Sequence, residues 1–331
     1  MTSVYLEGVQ MKRESKSFID SLYAILTAAD LFSGPKYMLS GLSGMAFKFS
    51  VHEQLWFMSV SAYGEWGTVH QPAVDNLGLF TSYDGGRNRH PTFRYYQQDA
   101  VQWIKASLDQ GIGVIYWIPE FGVIHGYDDE DEIFWVQNGV NAGSQVVLYD
   151  NLGINSTPFW YVQMVGGKVE VPVEVAILEA IRMAIDDWDT DHILSNASVA
   201  TGRMAYTFLI RALNLESFDE KGAVYILRSY QYSRSEIRDF LQEACLHLGG
   251  LQEALSSYDQ LNEIVVPVQT YMIMQDGHRK IDRRRIPELV EILIQATALE
   301  EEAMRVFRHI SSQYPDPIRS TVPRWGKHTP R

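Results

Sequence analysis

Nucleophilic chemistry needs a thiol, or a hydroxyl with a base in reach. The sequence holds one thiol, Cys245. It sits in the run Asp239 to Leu248, where Leu241, Ala244, Cys245 and Leu248 share one helical face, the setting of an inert core thiol. A lone cysteine also excludes an internal disulfide and a cysteine-rich zinc site. Among the nine histidines, His52, His70 and His90 are scattered with nothing to pair them, whereas His125 stands directly before Gly126-Tyr127-Asp128-Asp129. Nearby, Pro119-Glu120-Phe121 puts a carboxylate into a pair of apolar strands, where an unpaired charge is strongly disfavoured. Glu120 therefore marks a site, or else accepts backbone N–H groups near a helix start. His125 lies five residues further on. That is an odd step, so a regular strand points the two side chains to opposite faces. A bulge at Gly122 would change that and let His125 act as a base; otherwise it bonds Asp128 or Asp129 beside the turn.

Other chemistries find no support in the residues. Asp128 to Glu132 is an acidic run without the glycine and glutamate spacing of a calcium loop. Asp187 to His192 begins like such a loop but has His192 for its glycine and Ser198 for its glutamate. The sequence contains no Gly-x-x-x-x-Gly-Lys phosphate loop and no His-Glu-x-x-His zinc helix. No metal and no cofactor are expected. The formal charge of −13 at pH 7 repels a phosphate backbone, so nucleic acid is not an expected partner. Basic residues collect in His278-Arg279-Lys280, in Arg283-Arg284-Arg285 and from Arg319 to Arg331. They read as a solvated loop and terminus, with an anion or partner site as the alternative. No apolar run reaches the ~18 residues of a membrane span, and no signal peptide is recognisable. The expectation is a soluble, cytoplasmic protein without membrane association.

The elements that must position these residues change character along the chain. With 331 residues, 46% hydrophobic and 21% charged, the chain is long enough for two globular domains. Up to Gly167 the order is strand (3–9), helix (17–29), a small-residue apolar segment (39–51) that suits a buried helix, and a strand-like run (53–61). A turn at Tyr83-Asp84-Gly85-Gly86 and a helix from Asp99 to Gln110 follow, then strands at 113–118, 121–125, 132–136 and 158–165. Gly126-Tyr127-Asp128-Asp129 reads as a tight turn between two of those strands. The later part is helical: 172–188, 199–215, a helix opened by the capping box Ser233-Arg234-Ser235-Glu236 and closed by Gly249-Gly250, and 287–312. The fold class expected is α+β, with an antiparallel sheet packed on an N-terminal helix in residues 1–167 and a mainly helical domain in 168–331, packed closely on the first.

Helix, glycine, apolar strand, polar residue, apolar strand and Gly-Tyr-Asp is also the order found around the catalytic histidine of papain-like thiol enzymes. Ser40-Gly41-Leu42-Ser43-Gly44-Met45-Ala46-Phe47 resembles the Cys-Gly-x-x-Ala helix start of the bacteriocin leader-peptidase relatives. Gly126-Tyr127-Asp128-Asp129 resembles their Gly-Tyr-Asp turn. Together with its helical second half, the chain is similar to the butirosin biosynthesis protein H family. That resemblance implies a papain-like domain and acyl transfer from a carrier protein to an amine through a cysteine thioester. It also implies where the departures fall. Ser40 stands for the cysteine, Glu120, six residues before Gly126, stands for the histidine, and Asn138, or less well Asn141, stands for the orienting aspartate. A serine needs a well-placed base, and a glutamate with an ordinary pKa of about 4.3 is a poor one.

Three functional readings follow. The first is a degraded, non-catalytic papain-like domain in a biosynthetic pathway, holding a small molecule or a peptide in an aromatic cleft that includes Trp56, Tyr116, Trp117 and Tyr127. In that reading Glu120 faces the start of the helix containing Ser43. The second is an acyltransferase or amidase with Ser40 or Ser43 as nucleophile and His125 as base. The third is a scaffold whose helices at 174–188 and 287–312 dock a partner or a second copy of the chain.

Overall fold

The structure is a computed structural model and describes residues 3–57, 66–141, 143–190, 192–193 and 196–315. The chain begins with β1 (Ser3–Tyr5) and α1 (Ser17–Ala28), then α2 (Lys36–Leu42), β2 (Ser50–His52) and α3 (Trp66–Asn76). Its middle holds β3 (Leu79–Arg87), α4 (Phe93–Asp109), β4 (Val114–Trp117), β5 (Phe121–Asp128), β6 (Ile133–Gln137), β7 (Gln145–Leu148) and β8 (Phe159–Lys168). The rest is α5 (Val173–Trp188), β9 (His192–Ile193), β10 (Asn196–Thr201), α6 (Gly202–Leu215), α7 (Glu220–Ala244), α8 (Gln252–Val265), the hairpin β11 (Met272–Gln275) and β12 (His278–Ile281), and α9 (Ile286–Gln313). The α+β class is the one the chain adopts.

These elements form two compact units, one of Met1–Pro35 with Gly78–Glu170, the other of Lys36–Leu77 with Val171–Arg331. The composition change near residue 167 thus lies beside a crossing between units. The segment 36–77, grouped by sequence with the first domain, belongs to the helical unit. The reason is hydrophobic: Ala46, Phe47, Phe49, Val51 and Leu55 are buried in the core that α5 to α9 share.

In the first unit a seven-stranded antiparallel sheet runs β3-β8-β4-β5-β6-β7, with β1 also paired to β5. Along one edge of β5, Trp117 to Val114 of β4 match Phe121 to Ile124, and Tyr5 to Ser3 of β1 match Gly126 to Asp128. His125 falls between these two partners. It is the extra residue of a bulge against β6, where Ile124 faces Val136 and Gly126 faces Trp135. The bulge lets Ile124 and Tyr127, three residues apart, enter the same core with Phe93, Ile104, Phe134 and Trp160. Helix α1 packs on β4 and β5.

Several local expectations are corrected. Gly126-Tyr127-Asp128 lies within β5, and the turn comes at residues 129–132. Gly126 is needed because strands crowd it: a Cβ there would sit 2.6 Å from the Val4 carbonyl oxygen. Tyr83-Asp84-Gly85-Gly86 is part of β3 rather than a turn. The helix expected at 199–215 begins only at Gly202, after β10. The tetrad 233–236 is internal to α7, whose N-cap is Asp219, accepting from the Gly222 N–H; Ser233 bonds its own helix at the Ser229 carbonyl. Of the strand-like run 53–61, residues 53–54 form a turn and 58–61 lie outside the described residues, as does the basic tail. Among the described residues no helix is long and apolar enough to cross a membrane.

Candidate functional site

Residues 9–13 are tied to the end of β6. Gln137 accepts from the Met11 N–H at 2.8 Å and donates to the Val9 carbonyl at 2.9 Å, and the Arg13 N–H donates to the Gly139 carbonyl at 3.0 Å. This brings Arg13 over the start of β5. Its Nη2 donates to the carbonyls of Phe121 (2.9 Å) and Asn138 (2.7 Å), and its Nη1 lies 3.5 Å from the Glu120 carboxylate. Ser17, the first residue of α1, is fully buried. Its hydroxyl donates to Glu120 Oε2 at 2.5 Å and accepts from the Phe121 N–H at 3.2 Å. A carboxylate at a helix start is favoured by the free N–H groups and the dipole there. Glu120 is therefore held by a guanidinium on one side and a helix N-terminus on the other.

The helix is not the one expected. Glu120 bonds Ser17 at the start of α1. Ser40 and Ser43 belong to the helical unit, where they serve packing. Ser40 donates to Glu236 Oε2 at 2.9 Å, and Glu236 also pairs with Lys36 at 3.3 Å. Ser43 donates to the Ser40 carbonyl and accepts from the Met45 N–H. Between them a Cβ on Gly41 would fall 2.1 Å from the ring of Phe240. The small residues Ser40 and Gly41 are what let α2 approach α7. Neither hydroxyl has a histidine partner.

Asn138 is at the site, but its side chain closes its own turn, accepting from the N–H groups of Val140 and Asn141; only its carbonyl reaches Arg13. The bulge lies at His125 itself rather than at Gly122, and the His125 ring is engaged elsewhere. Its Nε2 lies 2.8 Å from Ser144 Oγ and its Nδ1 3.4 Å from the Leu6 carbonyl. Neither Asp128 nor Asp129 is its partner: Asp128 accepts from the Glu130 N–H, and Asp129 pairs with Lys105. Burial pulls the His125 pKa below its ordinary value, with the bond to Leu6 opposing.

Of the expected aromatic lining, Tyr116, Trp117 and Tyr127 are each about 1% exposed, in the interior of the first unit. Trp117 donates to Thr157 Oγ1 and Tyr127 to Asp109. Trp56 lies in the other unit, stacked on His52 with centroids 4.2 Å apart. In this unit the buried Arg13 Nε and Tyr116 Oη have no hydrogen-bond partner among the described residues. The Arg13 charge acts on the Tyr116 hydroxyl, whose pKa burial drives upward.

No family model matches the chain, and no curated protein matches it in sequence. The geometry carries the functional reading by itself. It adds two residues that the sequence reading passed over, Arg13 and Ser17. Ser17 was legible as the start of a helix but had no mark of its own; Arg13 sat in a charged run with Lys12, Glu14 and Lys16. Among the described residues no group of three or more His, Cys, Asp or Glu side chains could hold a metal ion.

Proposed function

We propose that the sheet-bearing unit is a papain-like domain whose Ser17–Glu120 position no longer transfers acyl groups and instead binds a small molecule or a peptide beside Arg13, Ser17 and Glu120. One observation carries the reading. A buried hydroxyl opens a helix, where a papain-like site keeps its nucleophile, and its partner at the start of the facing strand is a carboxylate held by Arg13. A base must be free to take the hydroxyl proton. Glu120 instead accepts from Ser17 while neutralising a guanidinium, so the pair holds its place rather than ionising the serine.

Two features support a binding role. Arg13 and Glu120 each keep 12% of their side chains exposed, so an occupant meets charge of both signs there. Behind them Arg13 Nε and Tyr116 Oη are buried donors with no partner among the described residues; an occupant whose carbonyl or carboxylate oxygen displaces the cover over them would satisfy both.

The test is a thermal-shift and tryptophan-fluorescence titration of wild type, Ser17→Ala and Arg13→Gln with short peptides, small amines and carboxylic acids. A ligand class that stabilises wild type and Ser17→Ala alike but not Arg13→Gln is the expected result. Equal stabilisation of all three by every ligand that binds, no ligand at millimolar concentration, or turnover that depends on Ser17 contradicts the reading.

A further inference from the structure

The same unit holds a serine and a histidine in contact at a second place. Ser144 is exposed, just before β7, and its Oγ is 2.8 Å from His125 Nε2 and 3.0 Å from Tyr5 Oη. The other ring nitrogen, Nδ1, faces the Leu6 carbonyl at 3.4 Å. A carbonyl only accepts, so Nδ1 carries the proton and Nε2 is left as an acceptor. The bonds then run in one direction: Tyr5 Oη–H to Ser144 Oγ, Ser144 Oγ–H to His125 Nε2, and His125 Nδ1–H to Leu6. This is the order of a nucleophile, a base and a group that orients the base.

The surroundings fit that use. Burial favours the neutral imidazole, so His125 is ready to accept a proton at neutral pH. Tyr5 is clamped edge-on between His125 (4.8 Å) and Trp135 (5.2 Å), which holds its hydroxyl at the serine. Gly143 and Ser144 have backbone N–H groups with no acceptor among the described residues. Val146, two residues on and paired in register with Trp135, is exposed, as is Val140. An apolar acyl chain has a surface to lie on beside the hydroxyl.

We propose that Ser144 and His125 form a nucleophile–base pair that accepts acyl groups from small esters with apolar acyl chains. Ser144 Oγ bonds the ester carbonyl carbon while its proton passes to His125 Nε2. The tetrahedral oxyanion accepts from Tyr5 Oη–H and the backbone N–H groups. Its collapse breaks the bond to the leaving alcohol, which takes the proton from His125. Water, deprotonated by His125, then attacks the Ser144 ester, releases the carboxylic acid and returns the proton to Ser144, so ester and water become acid and alcohol. The proposal goes beyond the reading of Ser17 and Glu120 and involves neither.

The test treats the full chain with a fluorophosphonate and with p-nitrophenyl butyrate, and locates the adduct by peptide mass spectrometry. Ser144 should be the labelled residue. Ser144→Ala, a surface change that leaves the fold intact by circular dichroism, should abolish both labelling and hydrolysis. His125→Gln should slow labelling by about 100-fold or more, and Tyr5→Phe should lower hydrolysis by about 10-fold or more. The labelling rate should rise with pH through an inflection below about 6.5, the ordinary histidine value. No adduct on Ser144, or one formed as fast in His125→Gln as in wild type, overturns the proposal. An adduct on Ser17 in place of Ser144 overturns this proposal and the preceding reading together, whereas silence at both serines overturns this one alone.

Discussion

Ser40 lies in a helix-to-helix contact, and its hydroxyl has one acceptor, Glu236, which keeps Lys36 as a second partner. Ser40→Ala removes a hydrogen bond to a charged group, so it should lower unfolding free energy by about 1.5–3 kcal/mol. Urea denaturation should show that loss, while ligand binding by the sheet-bearing unit stays as in wild type. His70 makes a different kind of contribution. It is buried in α3, and burial first, then the nearby Lys48 charge, brings its pKa down to about 3. A depressed histidine pKa stabilises the fold fully above the unfolded value of about 6.5. Below that the unfolded chain binds a proton that the folded chain refuses, and stability falls by up to about 1.4 kcal/mol per pH unit until about pH 3. Denaturation of wild type and His70→Gln from pH 7 to pH 5 should therefore show a steeper acid loss in wild type; parallel curves contradict the assignment.

At the scale of elements, α7 and α9 are joined by a buried ion pair. Arg234 donates from Nε and Nη2 to the two oxygens of Glu300, at 2.5 and 3.0 Å, and Tyr206 donates to the same carboxylate at 2.6 Å. The guanidinium also lies over the rings of Phe49 and Tyr230. Glu300→Ala leaves a buried cation unpaired and should destabilise by about 3–5 kcal/mol, read from the urea midpoint; a loss under ~1 kcal/mol contradicts the pairing. None of this was legible in sequence, because Arg234 and Glu300 are 66 residues apart. What periodicity did reveal were the elements with a clear apolar stripe or run: α1, α4, β4, β6, α5 and α9. It failed where local signals compete with tertiary ones. Ser233 to Glu236 has the letters of a helix start, but the helix continues through it because Ile226, Leu227, Ile237 and Phe240 bury one face throughout. Gly126-Tyr127-Asp128 has the letters of a turn, but β1 and β6 pair with it on both sides.

At the scale of the whole molecule, the chain leaves the first unit after Pro35, returns at Gly78 and leaves again after Glu170. That excursion is why the candidate site was only half legible. Glu120 and Asn138 were found because the resemblance places them by their distance from Gly126-Tyr127-Asp128, in the middle of the chain. The nucleophile position was sought at Ser40, in a small-residue segment whose glycine and serines serve a helix contact, whereas Ser17 and Arg13 are the residues that meet Glu120. The central claim is that Ser17 and Glu120 occupy the nucleophile and base positions of a papain-like arrangement that has stopped reacting. In a Cys245→Ala background, Ser17→Cys and the double variant Ser17→Cys with Glu120→His can be compared by their rates of reaction with an acyl thioester and with iodoacetamide from pH 5 to pH 9. The account predicts that the histidine lowers the thiol pKa below the ordinary value of about 8.5 and raises the rate at pH 7 by about 10-fold or more over Ser17→Cys alone. Equal rates in the two variants, both following an ordinary thiol titration, would contradict it.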